Sequence, residues 1–209
     1  DRIDLEFLVR YTNAHWLVVD APATADDGLV ARDAEGHPLC ATREGAIVRA
    51  DAVGIAPRVV GDAVLADGRR AAPAFQRLAT RYLDPAYSPA AVAGRCGVDA
   101  DTIRRLAREL ARTAFDEAIN LPLPWTDAWG REHAETVGRP VSMHAMRGIS
   151  AHSNGFQTCR ALHVLQMLLG AIETPGSFRF QPPYPKSVPP ANRPGKSRRA
   201  DGSLDAAPL

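Results

Sequence analysis

A short polar stretch, Arg147 to Gly155, carries the residue types best suited to holding a charged ligand. Ser150, Ser153 and Asn154 supply hydroxyl and amide groups, and Gly155 lets a ligand come close to the backbone. The stretch lies between an apolar run and an amphipathic one, so the pattern predicts a strand, a tight loop and a helix. Because the first turn of a helix presents N–H groups without helical partners, such a corner favours an anionic group.

Two elements must position this loop. The apolar and small residues of 141–146 are typical of a central strand covered on both faces, and a helix is predicted over 155–169 with Gly170 ending it. Either Ser153 or Asn154 is expected to cap that helix. The loop is neither a GxGxxG fingerprint nor a Walker loop, so it does not indicate nicotinamide or nucleoside triphosphate binding. On these residues alone, an anion site and a purely structural corner both stay open.

The first third of the chain is predicted to mix one helix with short strands. Apolar spacing predicts a helix over 3–11 and a buried strand over 16–19. A β-rich insertion follows at about 20–72, where Asp67-Gly68 supplies the positive backbone angles of a hairpin turn. No cluster of reactive groups marks this insertion.

The remainder is predicted to be largely helical, with one strand and a proline-rich end. A helix is expected over 73–83 with Pro73 in its first turn, where the missing N–H has no cost. A strand is expected over 118–121, and 177–209 is expected to be an extended, proline-rich segment.

A helix pair over 88–114 admits a second interpretation. Ser88 and Asp99 are predicted to cap the two helices and Gly97 to separate them. The same spacing over 88–112 suits a helix-turn-helix DNA reader. Five arginines there face three acids, two of which open the second helix where DNA phosphates would approach. The basic patch that DNA binding requires is therefore absent, and the DNA hypothesis is disfavoured.

Composition places the chain among ordinary globular proteins. Its 209 residues are 45% hydrophobic and 23% charged with a net charge of +1, so no global field favours nucleic acid or a membrane surface. The cysteines, Cys40, Cys96 and Cys159, are far apart and form no CxxC pair. This argues against a disulfide framework and a closed metal site, and predicts three reduced thiols that act as small core residues.

Several runs of the chain, taken in order, resemble one family. These runs are 147–155, 160–162 and 168–176, with further similarity at 4–13, 87–110 and 178–186. They resemble the molybdopterin oxidoreductases, and in particular the large catalytic subunits of the dimethyl-sulfoxide-reductase superfamily. In that family a Gly–His–Asn-Gly loop precedes a helix ending in Leu-x-Gly-x-Ile-x-x-Pro-Gly. The tail is most similar to the branch that contains sulfite dehydrogenases, with thiosulfate, polysulfide and tetrathionate reductases nearby.

The resemblance implies a fold and a domain organisation. It implies a layered α/β central section of the molybdopterin oxidoreductase domain over 1–176, with a β-hairpin-rich insertion. That section would include the helix pair 88–114 and a cofactor-loop corner over 141–170, and 177–209 would form a Pro-rich extended tail. Because the chain opens directly into a helix pattern, it is expected to be a central fragment of a longer subunit.

The resemblance also implies a cofactor and the residues near it. The cofactor is molybdenum held by two molybdopterin guanine dinucleotides, and none of the metal's protein ligands lies in this chain. The residues matching the loop that approaches a pterin are Gly148, Ser150, His152, Asn154 and Gly155. Arg179 lies where related enzymes run polypeptide toward the metal, and a guanidinium there would guide a small sulfur oxyanion by bidentate pairing.

Partners and compartment follow from the same resemblance. A 4Fe-4S cluster with ligands outside this chain would pass electrons to an iron–sulfur subunit, and a membrane-anchor subunit would complete the complex. The resemblance implies a cytoplasmic enzyme associated with the membrane through these subunits, with a periplasmic location as the alternative and no nucleic-acid partner. A different class stays open, namely a non-catalytic anion- or cofactor-binding module of the same fold.

Overall fold

The computed structural model describes residues 2–127, 129–143, 147–178 and 200. The chain divides into two units, 1–179 and 180–209, and the architecture below is that of the first. Its helices are α1 Leu5–Tyr11, α2 Ala74–Tyr82, α3 Pro89–Cys96, α4 Ala100–Phe115, α5 Arg147–Ser150 and α6 Gly155–Leu168, with a 3-10 turn at Pro85–Tyr87. Its strands are β1 Leu17–Val19, β2 Leu39–Ala41, β3 Ile47–Arg49, β4 Ala63–Val64, β5 Arg70–Pro73, β6 Ile119–Leu121, β7 Trp125–Thr126, β8 Glu132–His133 and β9 Thr136–Gly138.

Small antiparallel sheets supply the β-structure. One sheet has the order β1-β5-β4, and the other strands pair as β2 with β3, β6 with β9 and β7 with β8. The hairpin predicted at Asp67-Gly68 is confirmed, because β4 and β5 pair across it and Gly68 has a φ of +86°. The mixed helix and strand content agrees with the α/β expectation.

The helices end largely where the sequence predicts. The Ser88 hydroxyl accepts from the Ala91 N–H to cap α3, and the Asp99 carboxylate accepts from the Thr102 N–H to cap α4. Gly97 ends α3 with a φ of +71°. The expectation that a proline occupies the first turn of α2 is wrong. The residue is the last of β5 and precedes the helix as its N-cap.

Three apolar clusters hold the unit together. The first lies around β1 and the hairpin strands, with Leu17 and Val19 almost fully buried. The second joins α1 to α2 and α6 through Leu8, Phe75 and the partly buried Met167. The third consists of Ala114, Val141, Leu169 and Ala171. The second and third clusters fix the C-terminal end of α6 against both α1 and α4.

A partly buried ion pair ties the same regions together. Both Nε and Nη2 of Arg139 donate to Asp4 Oδ2, at 3.0 and 2.9 Å, while Asp4 Oδ1 accepts from the Phe7 N–H to cap α1. The Arg139 Nη1 donates to the Ala114 carbonyl at 3.3 Å, and its guanidinium lies 4.6 Å from the ring centre of Phe115. One arginine after β9 therefore connects α1 and α4.

Gly170 closes α6 beside this ion pair. The Gly170 N–H bonds to the Met167 carbonyl and the Ala171 N–H to the Gln166 carbonyl, the bonding pattern of a Schellman end. Gly170 has a φ of +66°, and an added Cβ would lie 2.7 Å from Asp4 Oδ2. The predicted helix stop is thus confirmed, and the contact with Asp4 gives a second reason for glycine.

Among the described residues, no helix is both long enough and apolar enough to cross a membrane.

Candidate functional site

The corner that the sequence identifies is built from two helices. The strand predicted over 141–146 is wrong for Val141 to Met143, which pair with no strand, and 144–146 lie outside the described residues. Val141 is buried against α4 and the end of α6, so its apolar character serves packing between helices. The short α5 then leads through an exposed turn into α6.

The predicted cofactor-loop residues are contiguous on this corner. Gly148 and Ser150 lie in α5, His152 lies in the exposed turn, Asn154 is the N-cap of α6 and Gly155 is its first residue. The Ser150 hydroxyl donates to the Arg147 carbonyl at 3.0 Å. Arg179 lies outside the described residues, so its assignment stays a prediction.

Gly155 has a structural reason to be glycine. It is buried, and a Cβ at this position would collide with the Ser150 carbonyl oxygen. The close approach that the sequence assigns to a ligand is made by the backbone of α5. At Gly148, by contrast, no atom of the described residues lies within 4 Å of an added Cβ.

The N-terminal turn of α6 offers free donors. The Asn154 side chain makes no capping hydrogen bond. Within the described ranges, the N–H groups of Phe156 and Gln157 have no acceptor, and the imidazole of His152 makes no hydrogen bond. Backbone N–H groups at a helix N-terminus carry partial positive charge, so this donor set suits a phosphate or another anion.

A large groove lies at the C-terminal end of α6. This end is about 21 Å from the N-terminal corner, because α6 has 14 residues and an α-helix rises about 1.5 Å per residue. It has a volume of about 1030 Å³ and lies between α1, the strands β6 to β9 and residues 170–174. Arg10, Trp125, His133 and Arg139 line it. The sequence pattern did not predict this groove, because its walls come from segments far apart in the chain.

A buried carboxylate organises one wall of this groove. Asp127 accepts from the N–H groups of Trp129 and Arg131, from the Arg131 Nε at 2.8 Å and from the His133 Nε2 at 3.1 Å. Burial alone would raise the pKa of Asp127, but these hydrogen bonds outweigh it and hold the pKa well below its usual range. The ring of His133 stacks on Trp125 with centroids 4.4 Å apart. This cluster fixes the β7–β8 hairpin.

One further histidine, His163, and two of the cysteines lie in environments that account for them. The His163 Nδ1 lies 2.8 Å from the Cys159 carbonyl one turn earlier, consistent with a structural histidine. Cys40 is buried, and burial raises the pKa of its thiol to about 11. The prediction that all three cysteines act as core residues is wrong for Cys96, which is exposed.

The β-rich insertion contains a group of side chains that could hold a metal ion, which the sequence pattern did not predict. Asp33, Glu35 and His37 lie on one turn with their ligand atoms within 4.8 Å of one another. The group is explained locally, since Asp33 accepts from the N–H groups of the other two residues. It therefore acts as a turn stabiliser.

The helix pair over 88–112 was considered above as a DNA-binding element. Acidic side chains neutralise most of the arginine charge on its second helix, α4. Three of the four arginines on α4 form ion pairs with nearby acids. These pairs are Arg104–Asp101 at 3.0 Å, Arg105–Glu109 at 2.9 Å and Arg112–Glu117 at 3.2 Å. Phosphate contacts would have to displace those acids, which further disfavours DNA binding.

A known protein is similar to this chain over nearly its whole length. No family model matches the chain. The chain is similar to a sulfite dehydrogenase subunit from Allochromatium vinosum, with 44% identity over 220 residues. The alignment covers 99% of this chain and 22% of the relative, so the chain spans about a fifth of the length of the curated relative it matches. The relative is, by its name, one subunit of a sulfite dehydrogenase.

Proposed function

We propose that this chain forms part of the catalytic subunit of a sulfur-oxyanion oxidoreductase of the sulfite dehydrogenase type. The observation that carries the proposal is the 44% identity to a subunit of a sulfite dehydrogenase over 99% of the chain. The reaction takes sulfite and water to sulfate, two protons and two electrons. The new S–O bond takes its oxygen from water, and the electron pair leaves through a redox chain.

The proposed cofactor is molybdenum held by two molybdopterin guanine dinucleotides, which supplies the two-electron chemistry when bound. The donors of the α6 N-terminus fit the diphosphate of such a group. The N–H groups of Phe156 and Gln157 would donate to phosphate oxygens, and His152 is exposed and free to add a third donor. The Asn154 side chain makes no capping hydrogen bond, so its amide is also free to donate. Gly155 supports the site indirectly, by letting α5 pack on α6.

The remaining parts of the proposed machinery lie outside the described residues. Arg179 is proposed to orient the oxyanion through paired hydrogen bonds from its guanidinium. The 4Fe-4S cluster is proposed to use ligands outside this chain. A membrane anchor and an iron–sulfur subunit are the proposed partners, supported by the relative's name, which makes it one component of an assembly. The proposed location is the cytoplasmic face of a membrane, with the periplasm as the alternative.

The test uses the longest natural polypeptide that contains this chain, purified with its associated subunits. We expect sulfite-dependent reduction of ferricyanide, and molybdenum and pterin in a ratio of one to two. Replacing exposed Asn154 with Trp should lower both contents by more than half, because the bulky ring would cover the α6 N-terminus. An Ala90→Trp change on the exposed face of α3 serves as the matched control.

The outcomes separate the competing functions. Full molybdenum content in Asn154→Trp would refute the cofactor-loop assignment. Bound pterin without sulfite oxidation would refute the catalytic proposal and support a cofactor-binding module. If the protein neither binds pterin nor oxidises sulfite, and binds duplex DNA in a salt-sensitive way, the DNA-binding hypothesis for 88–112 would instead be supported.

A further inference from the structure

A second groove, distinct from the corner and from the large groove, is rich in arginine. It has a volume of about 410 Å³ and lies between α1, the loop after β2 and the segment 56–60. Three arginines line it, namely Arg43, Arg58 and Arg131. The lining contains one carboxylate, that of Glu6, and Arg10 already engages it at 2.6 Å. The groove therefore has a net positive lining.

Two of these arginines are placed together by the backbone. The N–H of Arg43 bonds to the Ala56 carbonyl and the N–H of Arg58 to the Ala41 carbonyl, each at 2.9 Å. These bonds flank an antiparallel bridge between Thr42 and Pro57. Because side chains alternate between the two faces of paired extended segments, both arginines fall on the face opposite that bridge. The residues directly across from them are Ala56, which lines the groove, and Ala41, which is fully buried in the first apolar cluster.

The Arg58 side chain is held in a defined position. Its Nη2 donates to the Asp62 carbonyl at 2.8 Å, and its guanidinium packs against Gly61, where an added Cβ would lie 3.2 Å from Arg58 Cζ. Its Nε is shielded from solvent and has no hydrogen-bond partner. A preorganised guanidinium loses less side-chain entropy when a ligand binds.

Neither guanidinium forms an ion pair within the part of the chain that the structure describes. Across the described ranges, no carboxylate forms an ion pair within 4 Å with Arg43 or Arg58, although hydrogen bonds and the charge of Arg43 together lower the pKa of the neighbouring Glu44. Arg131 contributes a third positive charge from the rim, while its Nε binds Asp127. Apolar side chains, including Val9 and Val59, form the rest of the wall and lower the local dielectric.

We propose that this groove binds a small oxyanion of the sulfate, sulfite or phosphate class. Guanidinium groups pair with such ions through two parallel N–H···O bonds, and two arginines lining one groove match the charge of a doubly charged ion. The volume admits one such ion with its remaining water. The site lies on different elements from the α6 N-terminus, so the inference does not depend on the proposed redox function.

Equilibrium dialysis with radiolabelled inorganic sulfate tests the inference on the longest natural form of the protein. Sulfate should bind in low-chloride buffer and weaken as ionic strength rises. Arg43→Gln and Arg58→Gln should each weaken this binding about tenfold, because each removes a charge-assisted hydrogen-bond pair. Arg95→Gln, which removes an exposed arginine of α3 without an ion pair, is the matched control and should change binding less than twofold.

Further arms test the class of ligand and the fold. Phosphate and sulfite should both displace bound sulfate from the wild-type protein, and Arg43→Lys should bind with an intermediate affinity. Arg43 is exposed and forms no side-chain bond within the described part of the chain, so its variants should unfold at the wild-type temperature. Equal sulfate binding by wild type and Arg43→Gln would overturn the inference, as would failure of either competing ion to displace sulfate.

Discussion

Replacing Arg139 with Gln should destabilise the protein more than any surface charge change, because Arg139 connects α1 to α4. The substitution removes two hydrogen bonds to Asp4 Oδ2 and one to the Ala114 carbonyl, and also the contact with the Phe115 ring. The side chains of Arg139 and Asp4 are only 17% and 15% exposed. A hydrogen bond to a charged group contributes about 1.5–3 kcal/mol, and the half-buried carboxylate left behind is poorly solvated. We expect a loss of about 2–4 kcal/mol in the free energy of unfolding.

A double-mutant cycle isolates the ion pair from the other contacts. Asp4→Asn keeps a side-chain oxygen that can cap α1, so it removes mainly the charge. Urea denaturation of wild type, Arg139→Gln, Asp4→Asn and the double variant should give a coupling energy of about 1–2 kcal/mol. The exposed helix pair of Arg105 with Glu109 serves as the comparison and should give about 0.5 kcal/mol or less. A coupling energy for Arg139 and Asp4 no larger than that of the surface pair would refute the reasoning.

Two further predictions concern the corner and the hairpin. Gly155→Ala should destabilise the protein by about 1–3 kcal/mol, because its Cβ would collide with the Ser150 carbonyl, whereas Gly148→Ala should be neutral or slightly stabilising. Equal urea midpoints for the two variants would contradict the packing explanation. Asp127 has a lowered pKa in the folded protein, so its stabilisation is complete above about pH 5 and is lost as the pH falls through the unfolded value of about 3.9 toward the folded one. Asp127→Asn should therefore flatten the pH dependence of the unfolding free energy below about pH 5, and parallel curves for variant and wild type would contradict this.

Local patterns predicted the local elements well. The caps at Ser88 and Asp99 and the stops at Gly97 and Gly170 depend on neighbours within a few residues, so they can be read from the sequence. The strand predicted over 141–146 failed because an apolar run has the same appearance whether it pairs with strands or packs between helices. Only the contacts of its first residue with α4 and α6 distinguish the two cases.

The grooves could not be predicted in this way. The tie between Arg139 and Asp4 spans 135 residues, and no periodicity relates positions so far apart. The groove of Arg43 and Arg58 depends on an isolated bridge between two irregular segments. The predicted loop residues were contiguous in sequence and so were found together, although packing against α5 accounts for Gly155.

The bond from the Asp4 N–H to the Leu168 carbonyl, at 2.8 Å, has a consequence for synthesis on the ribosome. Helix α1 receives its apolar neighbour Met167 and this backbone bond only after α6 has left the exit tunnel. A seven-residue helix is too short to persist alone in water. The α1 segment of the nascent chain must therefore remain without its α6 contacts while all the intervening elements are made. The docking of α1 on α6 is a late, long-range step in folding.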